Sequence, residues 1–346
     1  MKATCKKYIL NFKQPSGTSR GVLRTKETYF LIVEHNDRKG VGECGLFRGL
    51  SADDRPGYEE KLQWVCDNIN LGKEELLKQV FDFPSIQFGL EQVFLSLESN
   101  HPFELFPSKF TEGKNSISIN GLVWMGTFDF MKQQIKEKLK LGFTVIKLKI
   151  GAIDFDAEIE LLKSIRKEFS SNEIELRVDA NGAFSPNDAL EKLKRLSDFD
   201  LHSIEQPIKA KQWSDMADLC DKTPLPIALD EELIGVFSIE EKEQLIQTIK
   251  PQYTILKPSL IGGLAGSNDW INIAKAHNVG WWITSALESN IGLNAIAQFT
   301  YSLNVSMPQG LGTGGLFTNN IQSPLEVSNG ALHYNPDLQW SFKLSP

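Results

Sequence analysis

The chain of 346 residues has only four cysteines, Cys5, Cys44, Cys66 and Cys220, and none stands in a C-x-x-C pair. That excludes a zinc-ribbon pattern and a dense disulfide framework, and leaves reduced, buried thiols as the expectation. The five histidines are scattered and no chemistry is assigned to them. No window approaches the roughly 18 uncharged apolar residues of a membrane helix. The opening M-K-A-T-C-K-K-Y-I-L-N-F-K holds no apolar run long enough for a signal peptide, so a soluble, cytoplasmic chain is expected. Basic charge is in short supply: 37 Lys and Arg against 44 Asp and Glu give a net charge of −7. Nucleic-acid binding needs the opposite balance. There is no Walker A sequence, and the single G-x-G-x-x-G, Gly310 to Gly315, follows the last predicted strand and opens no helix. It therefore argues against the dinucleotide-binding form of an open doubly wound sheet.

What is present is an ordinary globular composition, 41% hydrophobic and 23% charged, with length enough for a sizeable core. The first part reads as strands over 6–12, 28–35 and 40–44, with a loop at P-S-G-T-S-R-G (15–21), and then as helices over 56–69, 73–81 and 84–97. Strands followed by helices, without alternation, indicate an α+β unit. From Ile117 the pattern alternates. Strands are predicted over 117–119, 144–150, 174–180, 201–205, 226–230, 253–257, 280–285 and 307–310. Helices fall between them, over 127–141, 154–169, 186–196, 213–220, 239–249, 265–277 and 293–303. Eight strands at βα spacing fit a (β/α)₈, TIM-like barrel. The division expected is a capping α+β domain over 1–115, a barrel over 116–318, and a segment over 319–346 that returns to the capping domain.

Five successive apolar runs of the alternating part end on charge: T-V-I-K-L-K-I, I-E-L-R-V-D-A-N-G, L-H-S-I-E-Q-P, P-I-A-L-D-E-E and Y-T-I-L-K-P-S. Catalytic groups of such a barrel sit where strands end at its C-terminal mouth. Asp179, Glu205 and Asp230 close three neighbouring strands, and three converging carboxylates repel one another unless a cation neutralises them. An all-oxygen set suits a hard ion such as Mg²⁺ better than zinc. Lys149 and Lys257 close the second and sixth strands, on opposite sides of an eight-stranded ring. Lys147 emerges on the same side of its strand as Lys149. A neighbouring ammonium and a dication would both lower the pKa of Lys149 towards the range of a working base. The parts suit removal of a proton from carbon next to a carboxylate, with the ion stabilising the enediolate and a lysine taking the proton.

These residues resemble the enolase superfamily, for which a Lys or His base with Mg²⁺ is characteristic. K-L-K-I-G (147–151) is similar to its K-x-K motif, and R-V-D-A-N-G-A-F (177–184), S-I-E-Q-P (203–207) and A-L-D-E-E-L (228–233) to its three ligand motifs. I-L-K-P-S-L-I-G-G (255–263) resembles the sixth-strand lysine motif, I-T-S-A-L-E-S-N-I-G-L (283–293) the seventh-strand stretch, and P-S-I-Q-F-G-L-E (84–91) a capping-domain helix. Where many members have D-E-S, this chain has Asp230-Glu231-Glu232, which keeps the ligand and changes its neighbour. The subgroup is that of muconate cycloisomerases, dipeptide epimerases, N-acylamino acid racemases and o-succinylbenzoate synthases. Epimerases usually carry Asp-x-Asp on strand eight; here the place reads Gly310-Leu311-Gly312-Thr313-Gly314. The o-succinylbenzoate synthase branch is the best match, with racemase or epimerase as the alternative.

The resemblance implies a hydro-lyase of menaquinone biosynthesis that uses one Mg²⁺ per site, with Mn²⁺ as a substitute. Its substrate would be 2-succinyl-6-hydroxy-2,4-cyclohexadiene-1-carboxylate, dehydrated in a syn sense. Lys149 would be the base and then the acid, with Lys257 the electrostatic partner, and Asp179, Glu205 and Asp230 would hold the ion. Lys147, Asn181, Ser285, Ala286 and Arg20 are candidate substrate contacts. The expected partner is a small-molecule carboxylate, with no nucleic acid and no membrane, and a homo-oligomer is compatible with this reading.

Overall fold

A computed structural model describes residues 1–18, 21–151 and 153–342. Three antiparallel strands open the chain: β1 (Lys2–Thr18), β2 (Gly21–His35) and β3 (Arg38–Cys44), in the order β1-β2-β3. Helices α1 (Tyr58–Asp67), α2 (Lys73–Gln79) and α3 (Pro84–Glu98) cover one face. Tyr29, Leu31 and Val33 alternate along β2 and meet Leu62, Val65, Ile86, Leu90 and Val93 in one buried cluster. The predicted loop over 15–21 is for the most part strand: Ser16, Gly17 and Thr18 pair with Leu23, Val22 and Gly21 after a register shift. Turn-forming residues there are overruled by a contact distant in sequence, because Gly17 also bridges Met125. A Cβ at Gly17 would lie 2.9 Å from the Met125 carbonyl oxygen, so a side chain would push the hairpin off.

A short strand β4 (Ile117–Ser118) precedes seven parallel strands. These are β5 (Gly121–Val123), β6 (Val145–Lys149), β7 (Glu175–Asp179), β8 (Leu201–Glu205), β9 (Ile227–Leu229), β10 (Tyr253–Leu256) and β11 (Gly280–Ile283). They lie in sequence order from β5 to β11. Seven helices follow them in turn: α4 (Phe128–Lys140), α5 (Phe155–Glu168), α6 (Pro186–Ser197), α7 (Trp213–Lys222), α8 (Ile239–Ile249), α9 (Gly263–Ala276) and α10 (Asn290–Ser302). Local chemistry starts them well. Asp154 accepts from two amides ahead of α5, Ser185 caps α6 with Pro186 in its first turn, and Ser238 and Glu241 form a capping box on α8.

The expected eighth strand contributes isolated parallel bridges instead: Gln309 to Ile119 and Gly310 to Thr284. The curled sheet thus has its two edges joined by one short segment. The first strand is also displaced from expectation. Ile117–Ser118 pairs antiparallel with β13 (Ala331–Tyr334), itself the partner of β12 (Leu325–Ser328), and the parallel sheet begins at Gly121. That pairing joins residues more than 200 positions apart and has no local signature. Arg177, fully buried on β7, braces the interior: it donates to Glu175 and to the Pro308 carbonyl (3.1 Å) and lies 4.7 Å from the Trp282 ring. Near the C-terminus Trp340 stacks on Phe103 and Phe342 packs edge-on against Phe30 of β2. Among the described residues no helix is long and apolar enough to cross a membrane.

Buried carboxylates dock the N-terminal sheet and helices onto the helix ends around the mouth. Glu43 of β3 accepts from the Ser289 amide (2.9 Å), the Ser289 hydroxyl and the Gly292 amide (2.8 Å) at the start of α10. Glu91 of α3 accepts from the Leu264 and Ala265 amides in the first turn of α9. Burial is the dominant influence on Glu91 and pushes its carboxyl from the ordinary 4.5 up to about 7, although both helix amides favour the charged form. A carboxyl raised on folding stabilises the fold below its unfolded pKa and loses that contribution as pH climbs to the folded one. Denaturant unfolding of the wild type should therefore weaken by up to ~3 kcal/mol from this group between pH 4.5 and 7. Glu91→Gln should show a flatter profile over the same range.

Candidate active site

The strand register sets the site. Lys149, Asp179 and Glu205 are direct partners across β6, β7 and β8, so their side chains emerge at one level and on one face. Asp230 follows β9 and Lys257 follows β10. All three acids are buried, and one oxygen of each lies within 4.8 Å of the others. Three ammonium groups face them. Lys147 bridges Asp179 (2.8 Å) and Glu205, Lys149 meets Asp179 at 2.6 Å, and Lys257 pairs with Asp230. Lys149 of β6 therefore engages the triad at Asp179, and Lys257, just after β10, engages it at Asp230.

Charges this deep shift one another's titration. Burial lowers the Lys149 pKa, and the Lys147 and Lys257 ammonium groups push the same way against Asp179. For Lys147 burial is outweighed by Asp179, Glu205 and Asp230, and for Lys257 by Asp230 and Glu231, so both are raised. Burial would raise Asp179, yet the three lysines hold it well below the usual carboxylate range. Glu205 goes the other way: burial, with Asp179 and Asp230 beside it, pushes it up to about 8 despite Lys147. Its Oε1 is buried and has no hydrogen-bond partner, so the site holds an acceptor that a cation would satisfy. Three clustered carboxylates with such an acceptor fit a hard, oxygen-seeking ion.

The backbone just behind two of the acids is left-handed, at Asn181 (φ 46°) and Gln206 (φ 37°). Such residues keep their conformation when side-chain bonds hold them. The Asn181 amide accepts from Lys149 at 2.9 Å and donates to Glu231 at 3.0 Å. Expected as a substrate contact, Asn181 bonds Lys149 in this structure and is not among the residues lining the cavity. Gln206 had no role in the sequence reading. Its carbonyl accepts from the Asp230 and Glu232 amides, and its NH₂ donates to the Ile208 carbonyl and Glu232, so it fixes the turn that carries Asp230. The S-I-E-Q-P string contains it, but nothing in spacing distinguishes an amide that braces from one that faces solvent.

A pocket open to solvent lies over the three lysines. Lys147, Lys149 and Lys257 form its floor; Leu23, Phe47, Leu50, Leu122, Trp124 and Leu287 supply apolar wall; Asn120, Thr284, Ser285 and Thr313 supply neutral polar groups. Ser285 and Ala286 are among its lining residues, with the Ser285 hydroxyl 2.5 Å from that of Thr313. Asn120, Thr284 and Thr313 were not singled out from sequence, since isolated polar residues at strand ends have no motif. Arg20 lies outside the described residues.

Residues 131–337 match the family model described as enolase C-terminal domain-like. The o-succinylbenzoate synthase of Desulfotalea psychrophila is 46% identical over 363 residues, an overlap covering 96% of this chain and 98% of that protein. The crystal structure of MenC from Desulfotalea psychrophila superposes with a TM-score of 0.86 at 42% identity, covering 96% of this chain and 99% of that one. A dipeptide epimerase from Enterococcus faecalis, complexed with Mg and the dipeptide L-Leu-L-Tyr, has a TM-score of 0.84 at 18% identity over 96% of each chain, and shares the fold.

The brace at Gln206 gives a direct expectation. Gln206→Ala leaves two buried amides without their acceptor and should lower unfolding free energy by on the order of 2–4 kcal/mol in denaturant titration.

Proposed function

The chain belongs to the enolase C-terminal domain-like family, and from that premise we propose that it is an o-succinylbenzoate synthase. It dehydrates 2-succinyl-6-hydroxy-2,4-cyclohexadiene-1-carboxylate to o-succinylbenzoate, a step of menaquinone biosynthesis, in the cytoplasm. The observation that carries this reading is the character of the cavity: its described lining offers three lysines, apolar wall and neutral donors, and no carboxylate. A substrate with two carboxylates and a carbon ring suits those walls. A dipeptide's free ammonium would have no acidic partner there, and Gly310, Gly312 and Thr313 line the cavity where an epimerase would carry its acids. The likeness to the Desulfotalea psychrophila enzyme over nearly the full length supports the same choice.

The proposed anatomy is a complete (β/α)₈ barrel over 116–318, capped by 1–115, with 319–346 returning to the cap. Asp179, Glu205 and Asp230 would hold one Mg²⁺, or Mn²⁺ in its place. When bound, the ion supplies positive charge to the carboxylate next to the reacting carbon, where negative charge grows. Lys149, with its lowered pKa and its hold on Asn181, removes the proton from that carbon. It then returns a proton to the leaving hydroxyl on the same face. A C–H and a C–O bond break, a C=C bond forms, water departs and the ring becomes aromatic. Lys257, whose raised pKa keeps it charged, steadies the enediolate from the other side. Lys147, which bridges Asp179 and Glu205 and lines the cavity, would meet a substrate oxygen. The apolar wall admits the ring and limits water.

Lys149→Ala should lower kcat on the order of 10²–10⁴-fold in a steady-state assay of the dehydration, with the fold intact by circular dichroism. Incubation of the wild type in D₂O distinguishes the rival reading. Deuterium exchange into N-acylamino acids or dipeptides, without dehydration of the cyclohexadiene, would make the protein a racemase or epimerase instead.

A further inference from the structure

The S-A-L-E-S stretch contains a buried acid that the reaction above leaves without a role. Glu288 is fully buried at the seam between the mouth of the curled sheet and the N-terminal strands. One carboxylate oxygen accepts from the Ser259 hydroxyl and the other from the Ala286 amide at 2.7 Å. Ser259 sits in the 3₁₀ turn Pro258–Leu260 that starts directly after Lys257, and the Leu260 amide closes that turn on the Lys257 carbonyl at 2.8 Å. Ala286 and Leu287 form part of the cavity wall, and Leu287 holds a left-handed backbone (φ 64°) that a branched side chain rarely adopts. One side chain thus joins the segment bearing a catalytic lysine to a strained stretch of the pocket wall.

The N-terminal strands press on the same point. Lys26 of β2 is buried, its Nζ has no hydrogen-bond partner, and its charge faces Glu43 and Glu288. Gly45 packs on the pair so closely that a Cβ there would lie 3.0 Å from the Ser259 side chain and 3.1 Å from that of Glu288. An unpartnered ammonium is expensive to bury, and two nearby carboxylates are what offset it.

We propose that Glu288 is a positioning residue: it clamps the Lys257 turn to the pocket wall, with Lys26 and Gly45 holding the clamp closed from the N-terminal side. The proposal rests on the reading that Lys257 and this wall act on the bound carboxylate. Loosening the clamp shifts Lys257 relative to the substrate without removing any group that touches it, and a displacement near 1 Å is enough to slow chemistry about 100-fold.

The test uses the full chain loaded with Mg²⁺. Ser259→Ala removes only the bond to the Lys257 turn, and should lower kcat about tenfold while KM stays within about twofold and the melting temperature within a few degrees. Glu288→Gln removes the charge that faces Lys26 as well as one carboxylate acceptor, and should lower kcat further, towards 100-fold. Lys26→Met should cost less kcat in the Glu288→Gln background than in the wild type, because the two charges act together. Wild-type kcat and KM in folded Ser259→Ala would overturn the proposal, whether or not Glu288→Gln folds. A purely structural Glu288 would lower the melting temperature and leave kcat per folded molecule unchanged, which also overturns it. Failure of the functional reading looks different: the wild type itself would not dehydrate the cyclohexadiene.

Discussion

Three carboxylates buried within one ion's reach of each other are the constraint from which the rest of the structure follows. Charges in such a place repel strongly and have lost their water, so they persist only where positive charge is supplied from fixed positions. The parallel sheet supplies the positions, because adjacent strands in register bring Lys149, Asp179 and Glu205 to one level. Lys147, Lys149 and Lys257 supply the charge from both flanks. The opposite titration of Asp179 and Glu205 is a consequence: one acid has the ammonium groups around it, and the other has mainly burial and its acidic neighbours.

Around that centre, neutral amides do the orienting. Asn181 and Gln206 hold left-handed backbone just after Asp179 and Glu205, and their side-chain amides bond back to the surrounding groups. A second tier of acids, Glu43 and Glu91, satisfies the amides that open α10 and α9, and so ties the N-terminal sheet and helices to the rim of the site. The cavity wall therefore draws on both parts of the chain, with Leu23, Phe47 and Leu50 from one and Trp124, Thr284 and Leu287 from the other.

Much of this was legible in the sequence because it is local. Apolar runs ending in charge, at βα spacing, reported both the strands and the direction in which their ends face. The helices over 186–196 and 239–249 follow from apolar spacing, and the caps that start them, Ser185 and Ser238 with Glu241, are equally local. What escaped was non-local. Pairing of Ile117–Ser118 with β13, and the reduction of the last strand to bridges at Gln309 and Gly310, depend on segments hundreds of residues apart or on a single bond. The pairing of 16–18 with 21–23 reads as a loop until Met125 lies beside Gly17. The lowered pKa of Lys149 was anticipated from its charged neighbour, whereas burial proves the larger influence, and burial is a property of the packed fold. The bonds of the Asn181 side chain to Lys149 and Glu231 likewise have no signature in the sequence.

The central claim is that Asp179, Glu205 and Asp230 form one cation site. Titration of the chain with Mn²⁺, followed by the loss of the free-ion electron paramagnetic resonance signal, measures it without reference to turnover. The account predicts one ion per chain, displaced by Mg²⁺, and loss of that binding in Glu205→Gln. An unchanged stoichiometry and affinity in Glu205→Gln, or no binding by the wild type at millimolar ion, would contradict it.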